Sequence, residues 1–341
     1  MKSGSFAACC LAVSSVLSAQ SPSIPIQEVH SHTLSLREVT RLGSLEGSDD
    51  AFGRVMGIAL DESLRMFVAD DLSHEVRVFD RDGRLLQIIG REGRGPGEFG
   101  SPWVVAIDPT DSVWVWDQRL YRFSVFNEDG AFARSFNAPS SWLVNSLKFF
   151  PTGELLVAAF GGSEGHGLHV VTREGDNVRD LLRLAVDPSM YPGFAGSLSG
   201  GSADWALGGG IVYARKSPYQ LTMLDMDGNE TRSCTGAESW TTPPMEVVEK
   251  TGDGYRLHWD QYKHVSRVVS IPGVGYLMVV VDLPNQRTIL DVVTADCQLL
   301  ARSVREGVLG VRALRDGYLA VATESEFPEV VVYRLSVEPA R

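Results

Sequence analysis

Apolar and polar residues alternate with a period of two through most of the chain, in short bursts separated by Asp-Gly, Pro and Gly. The stretch VADDLSHEVRVFDRDGRLLQIIG (68–90) holds two such bursts joined by Arg-Asp-Gly-Arg. A period of two describes half-buried strands, and Asp-Gly supplies the positive-φ residue that a tight hairpin needs. The device recurs as FSVFNEDGAF (123–132), LHVVTREGDN (168–177), LTMLDMDGNE (221–230) and, with cysteine in place of glycine, LDVVTADCQL (290–299). An apolar residue stands four positions before each turn residue: Phe79 before Gly83, Phe126 before Gly130, Val171 before Gly175, Leu224 before Gly228 and Val293 before Cys297. Successive turns are 47, 45, 53 and 69 residues apart.

A second pair of strands precedes each hairpin, as in VMGIALDESLRMFVAD (55–70), VVAIDPTDSVWVWD (104–117), SLKFFPTGELLVAA (146–159) and VRALRDGYLAVAT (311–323). Four short antiparallel strands in about 45 residues form one amphipathic sheet that buries its faces only against sister sheets. Units begin near Val55, Val104, Ser146, Trp205, Val268 and Val311, six in all. The last supplies three strands, ending in VVVYRLS (330–336), and TLSLREVTRLGSL (33–45) supplies the fourth. That loan removes an exposed sheet edge. The expected fold is all-β: a six-bladed β-propeller of four-stranded antiparallel blades over residues 33–338, closed by an N-terminal strand.

The segment VADDLSHEVRVFDRDGRLLQIIGREGRGPGEF resembles an NHL-type repeat of bacterial six-bladed β-propellers. The resemblance is specific over residues 54–141 and architectural elsewhere. It implies that GREGRGPGEF (90–99) is the connector from the outer strand of one blade to the inner strand of the next. A phosphate-binding loop would need a helix after it, whereas SPWVVAID (101–108) reads as a strand.

Composition refines this picture in three ways. The first 19 residues, with Lys2, an apolar run from Phe6 to Leu17 and a small-residue exit at Ala19, read as an export signal followed by a leader over 20–32. Cys9 and Cys10 lie too early in that run for the usual lipid attachment. No segment is long enough to span a bilayer as a helix. The formal charge of −12 repels nucleic-acid phosphates. Of four cysteines only Cys234 and Cys297 follow the signal, and their places in the repeat argue against pairing. Cys297 sits at a hairpin turn, and Cys234 lies six residues past Gly228, roughly 20 Å along an outer strand.

Chemistry is expected on the face that carries the connectors and the turns between second and third strands. Two connectors are enlarged, at 187–205 and 236–264, and they carry Tyr191, Phe194, Trp205, Trp240, Tyr255, His258 and Trp259. They read equally as a recognition surface and as a lid packed on the blades. Asp70 and Asp117 occupy equivalent turn positions, with Asp282 similar, and read as caps for turn amides; Arg119, Arg215 and Lys216 add positive charge. The residues read as preceding the inner strands are Arg54, Trp103, Asn145, Asp204, Arg267 and Gly310. One carboxylate and one amide among them make a poor calcium site, and the histidines do not recur at equivalent positions as a zinc site would require. GGSEG (161–165) joins strands and is not a nucleophile elbow.

The candidate ligand-binding residues are Arg54, Trp103, Asn145, Trp205, Arg215, Trp240, His258 and Trp259, with no catalytic or metal residue and no cofactor assigned. The expected role is an exported, periplasmic or extracellular, monomeric binding or scaffold module with a protein or glycan partner. The alternative is a metal-assisted hydrolase or lyase at the channel mouth on the same face.

Overall fold

The computed structural model describes residues 22–44, 49–161, 165–184, 198, 200–252, 254–324 and 327–340. The signal segment, Tyr191 and Phe194 lie outside them. Six sheets stand around an axis; in five of them the four main strands run in sequence order from inside to outside, and in the sixth the outermost strand comes from the start of the chain. Inner strands are Val55–Leu60, Pro102–Ile107, Leu143–Phe149, Gly201–Trp205, Lys263–Ile271 and Gly310–Arg315. Outer strands are Leu85–Ile89, Phe132–Asn137, Asn177–Arg183, Glu230–Thr235, Gln298–Glu306 and, for blade six, His32–Leu42.

Second strands are the apolar heart of each blade. Met66–Asp70, Val113–Asp117 and Gly275–Asp282 are buried at every position. Successive side chains leave opposite faces of a strand, so each strand feeds two cores. Met66 and Val68 pack toward blade six, whereas Phe67 and Ala69 pack toward blade two. Trp114 and Trp116 pack toward blade three, whereas Val113 and Val115 pack toward blade one. Each of the six junctions thus has its own apolar cluster. Burying one such large side chain contributes roughly 1.5–3 kcal/mol.

The ring closes as expected. Blade six's third strand, Pro328–Pro339, pairs antiparallel with His32–Leu42 from Val330↔Leu42 to Pro339↔His32. The leader also has structure that its sequence did not announce. Ile24–Pro25 lies parallel to blade four's outer strand, with Ile24 opposite Cys234, and Gln27–Glu28 lies parallel to blade five's outer strand. Gln27 N donates to the carbonyl of Cys297 at 2.8 Å. Residues 24–42 therefore strap blades four, five and six from outside.

Cys234 and Cys297 form a disulfide, with Cα atoms 5.4 Å apart. This corrects the expectation that their positions keep them apart. The length of strand between Gly228 and Cys234 is irrelevant, because Cys297 belongs to the next blade. Each third-to-fourth-strand turn rests on the outer strand of the preceding blade, displaced along it. A Cβ at Gly130 would fall 2.0 Å from Gln87, one at Gly175 2.4 Å from Phe136, and one at Gly228 2.9 Å from Leu181. Phe136 and Leu181 each lie six residues past the turn glycine of their own blade, as Cys234 does. Cys297, at φ 61°, points a side chain where the other turns have none, and Cys234 receives it.

Replacing the pair as Cys234→Ala with Cys297→Gly restores the turn residue of the other blades and removes only the crosslink. For a loop spanning 63 residues the chain-entropy cost is about 4 kcal/mol. Calorimetry should show the variant melting several degrees lower, with reductant lowering only the parent. Equal melting in all samples would mean that the bridge does not form.

Candidate binding faces and the axial channel

Five inner strands carry a β-bulge near their start. Pairing with the second strand skips Met56, Trp103, Asn145, Ser266 and Arg312; blade four has no skip. A bulge bends the strand and re-aims the extra residue. Met56, Trp103 and Arg312 line a cavity of about 400 Å³ that runs along the axis. It extends to Asp61, Glu62, Asp108, Asp111 and Arg315, at or beside the turns that join first and second strands. Its rim is therefore the face opposite the two inserts.

Arg267, beside the blade-five bulge, forms the floor. Its Nη1 donates to the carbonyl of Asn145 in blade three at 3.0 Å, and its Nε donates to the carbonyl of Val311 in blade six at 3.3 Å. Blades three and six oppose each other across a six-membered ring, so the guanidinium that touches both sits on the axis. Burial, and then repulsion by Arg312, push its pKa down to about 9. Nearby, Asp204 is fully engaged: Lys148 Nζ lies 2.9 Å from Oδ1, and Ser270 N donates to Oδ2 at 3.0 Å. Asn145 has a buried side-chain nitrogen without a partner.

On the opposite face, Asp70 and Asp117 stitch connector to turn. The Asp117 carboxylate accepts from Gly100 N, Ser101 N, Arg119 N and Leu120 N at 2.6–3.1 Å. That of Asp70 accepts from Gly53 N, Arg54 N, Leu72 N and Ser73 N at 2.8–3.3 Å. Asp282 departs from this pattern and holds side chains, Arg287 Nε at 2.8 Å and Asn285 Nδ2 at 2.9 Å.

The second insert folds as a 3-10 turn, Pro244–Glu246, a hairpin of Val248–Thr251 and Gly254–Leu257, and another 3-10 turn, Trp259–Gln261. Val247, Tyr262 and Leu198 form its buried core, and Tyr262 Oη donates to the carbonyl of Leu198 in the first insert at 3.1 Å. Beneath it, His264 stacks on Tyr262 with ring centres 4.6 Å apart. Burial and the neighbouring Lys216 push its pKa down to about 3. Met245, Tyr255 and Trp259 are left exposed.

The eight candidate residues separate into two groups. Trp103 and Asn145 are bulge residues at the axis. Trp205 joins them, which corrects its placement in the first insert: it ends the blade-four inner strand, packs on Phe150 at 4.9 Å and faces the cavity. Gly208, Gly209 and Gly210, all at positive φ, turn the chain just after it, the signal that marks its true position. Arg54 stays near the connector and pairs with Asp71. Arg215 ends blade four's second strand on the insert face. Trp240 is packed between blades, edge-on to Tyr219 at 4.9 Å and beneath the Arg302 guanidinium at 4.2 Å. His258 pairs with Glu249 on the insert hairpin at 2.9 Å, and Trp259 is exposed beside it. Arg267 is the cavity residue that the sequence reading leaves out of its candidates.

A family model described as a six-bladed β-propeller matches residues 35–150. Mouse NHL repeat-containing protein 3 is 28% identical over 108 residues, covering 29% of this chain and 30% of that protein. The chain spans less than a third of the length of the curated relatives it matches. A candidate exported protein of Bacteroides fragilis shares the fold with a TM-score of 0.61 at 12% identity, over 94% of this chain and 100% of that one. A DUF4221-family protein of Bacteroides vulgatus also reaches 0.61, at 10% identity over 92% and 100%. Identities this low establish the fold alone. The chain is a six-bladed β-propeller, similar in part of its length to NHL-repeat proteins.

Two outcomes follow from the groups beneath the insert and the connectors. Unfolded histidine titrates near 6.5, well above the folded His264, so the unfolded chain binds the extra proton first as pH falls. Stability attributable to His264 is intact above pH 6.5 and declines toward pH 3 by roughly 1.4 kcal/mol per unit. His264→Gln should flatten that limb in pH-dependent denaturant titrations; an unchanged limb would contradict the assignment. Asp117→Ala, which strands four backbone donors, should cost about 3 kcal/mol, and Asp117→Asn clearly less.

Proposed function

We propose that this protein is an exported binding or scaffold module that recognises a protein or glycan of the cell envelope through the insert-bearing face. The supporting observation is the exposure of Met245, Tyr255 and Trp259, 52%, 39% and 40% accessible, on an insert with a buried core of its own. A loop that pays for its own anchoring and then holds two aromatics and a methionine in water has the composition of a recognition surface. Leu72 and Tyr121, in turns of blades one and two on the same face, extend the apolar exposure around the ring. A metal-assisted hydrolase or lyase would need converging ligands. Among the described residues no three His, Cys, Asp or Glu side chains are so placed, and His258 is held by Glu249 on an exposed hairpin. The segment 1–19 directs export in this reading, and no helix among the described residues is long and apolar enough to cross a membrane.

The test is retention. Immobilised parent protein should hold one envelope protein in stoichiometric amount, or a defined glycan on an array. The triple variant Met245→Ala, Tyr255→Ala, Trp259→Ala should lose at least about tenfold in affinity while remaining folded by circular dichroism. The double variant Met245→Ala, Tyr255→Ala, which leaves the packing of Trp259 on Tyr262 and His264 intact, should lose part of it with unchanged melting. Undiminished retention by the triple variant, or no retention by the parent, would overturn the proposal.

A further inference from the structure

Arg267 places a buried charge on the axis of the ring. Its Nε and Nη1 are engaged by two backbone carbonyls. Among the described residues it makes no ion pair, and Nη2 has no acceptor there. The nearest carboxylate, Asp204, is shared with Lys148 and only partly offsets the cost of burying this guanidinium, so a further anionic partner would be favoured on the axis. The acids around it are spoken for. Asp204 holds Lys148 and the Ser270 amide. Asp61 pairs with Arg65, Asp108 with Arg173 and Glu62 with Arg315. Asp111, the remaining acid of the cavity wall, is exposed at the rim.

The space above Arg267 has a definite character. At about 400 Å³ it falls within the range of small-molecule sites. Met56, Leu60, Trp103, Phe149, Trp205 and Leu314 supply apolar and aromatic wall. Lys148, Arg312 and Arg315 add positive charge to a wall that is polar as well as apolar, and a chamber with aromatic side wall and a guanidinium at its inner end suits a molecule with an apolar body and an acidic head.

We infer that the axial channel is a second binding site, entered from the face opposite the inserts, for a small amphipathic organic anion whose acidic head meets Arg267 and whose aromatic or aliphatic body lies against Trp103, Trp205 and Leu314. Planar, two-donor recognition is what a guanidinium offers a carboxylate or a phosphate monoester. The inserts play no part, so the site stands or falls independently of partner recognition on the other face.

Calorimetric titration with naphthoate and with its neutral counterpart, naphthylmethanol, tests this directly. The full mature chain should bind the acid at least about tenfold tighter than the alcohol. Arg267→Gln should abolish that preference and keep residual binding of both. Leu314→Trp, which fills the chamber without touching its floor, should eliminate both, and it serves as the deciding variant if Arg267→Gln does not fold. Equal affinity of the parent for acid and alcohol, no binding of either, or undiminished acid binding by Leu314→Trp would each refute the assignment. Unchanged binding after the triple substitution on the inserts is expected, which separates this result from the fate of the envelope-partner reading.

Discussion

A sheet with two apolar faces has to be covered twice, and in this molecule both covers are other sheets of the same kind. That constraint dictates the ring and the closing pair of strands between the chain's two ends. It also dictates how neighbours touch. Sheets that twist cannot lie flush, so each third-to-fourth-strand turn rides part-way along the outer strand of the blade before it. Glycine at the turn is then doubly required: it provides the positive φ, and it leaves room for the neighbour. Blade five meets the same geometry differently, by spending the available direction on a covalent bond.

Much of the architecture was legible because its causes are local. Asp-Gly at hairpins, an apolar residue four positions earlier, and a last unit one strand short are all visible without knowledge of any neighbour. The errors share the opposite property. The distance of Cys234 from Gly228 was measured within one blade, although the contact joins two. Trp205 was attached to the insert before it, since its inner strand, Gly201–Trp205, is short and opens with glycine and serine; the three glycines after it were the overlooked marker. The strap at Ile24–Pro25 and Gln27–Glu28 consists of pairs too brief to show any period. Arg267 appeared in the list of inner-strand residues, but nothing in a linear sequence says that its guanidinium reaches two opposed blades.

Comparing the blades with one another shows where the fold stops dictating identity. The central positions of the second strands are mostly valine, alanine, leucine and aromatics, because both of their faces are buried. Bulge positions hold methionine, tryptophan, asparagine, serine and arginine, five different chemistries at one structural place. A residue pushed out of the ladder is released from strand pairing, and three of the five, Met56, Trp103 and Arg312, line the channel. The enlarged connectors are the same kind of freedom on the other face. With Arg267 across the axis between them, the two regions form separate environments on one scaffold.

Rigidity is distributed to match. Blades four and five carry the insert and are joined by more than apolar packing. The disulfide links them on the outside, and the leader crosses both. On the inside Val268 N donates to Ser202 Oγ at 2.7 Å, and Ser270 N donates to Asp204. Between these, Tyr219 Oη donates to the buried Asp291 carboxylate at 3.0 Å, which Arg302 also grips at 2.7 and 2.8 Å while lying over the Trp240 ring. A decoration that only filled space would need none of these ties. A surface that must present exposed aromatics in a fixed geometry gains from each of them, since every degree of freedom removed before binding is one less to be lost on binding.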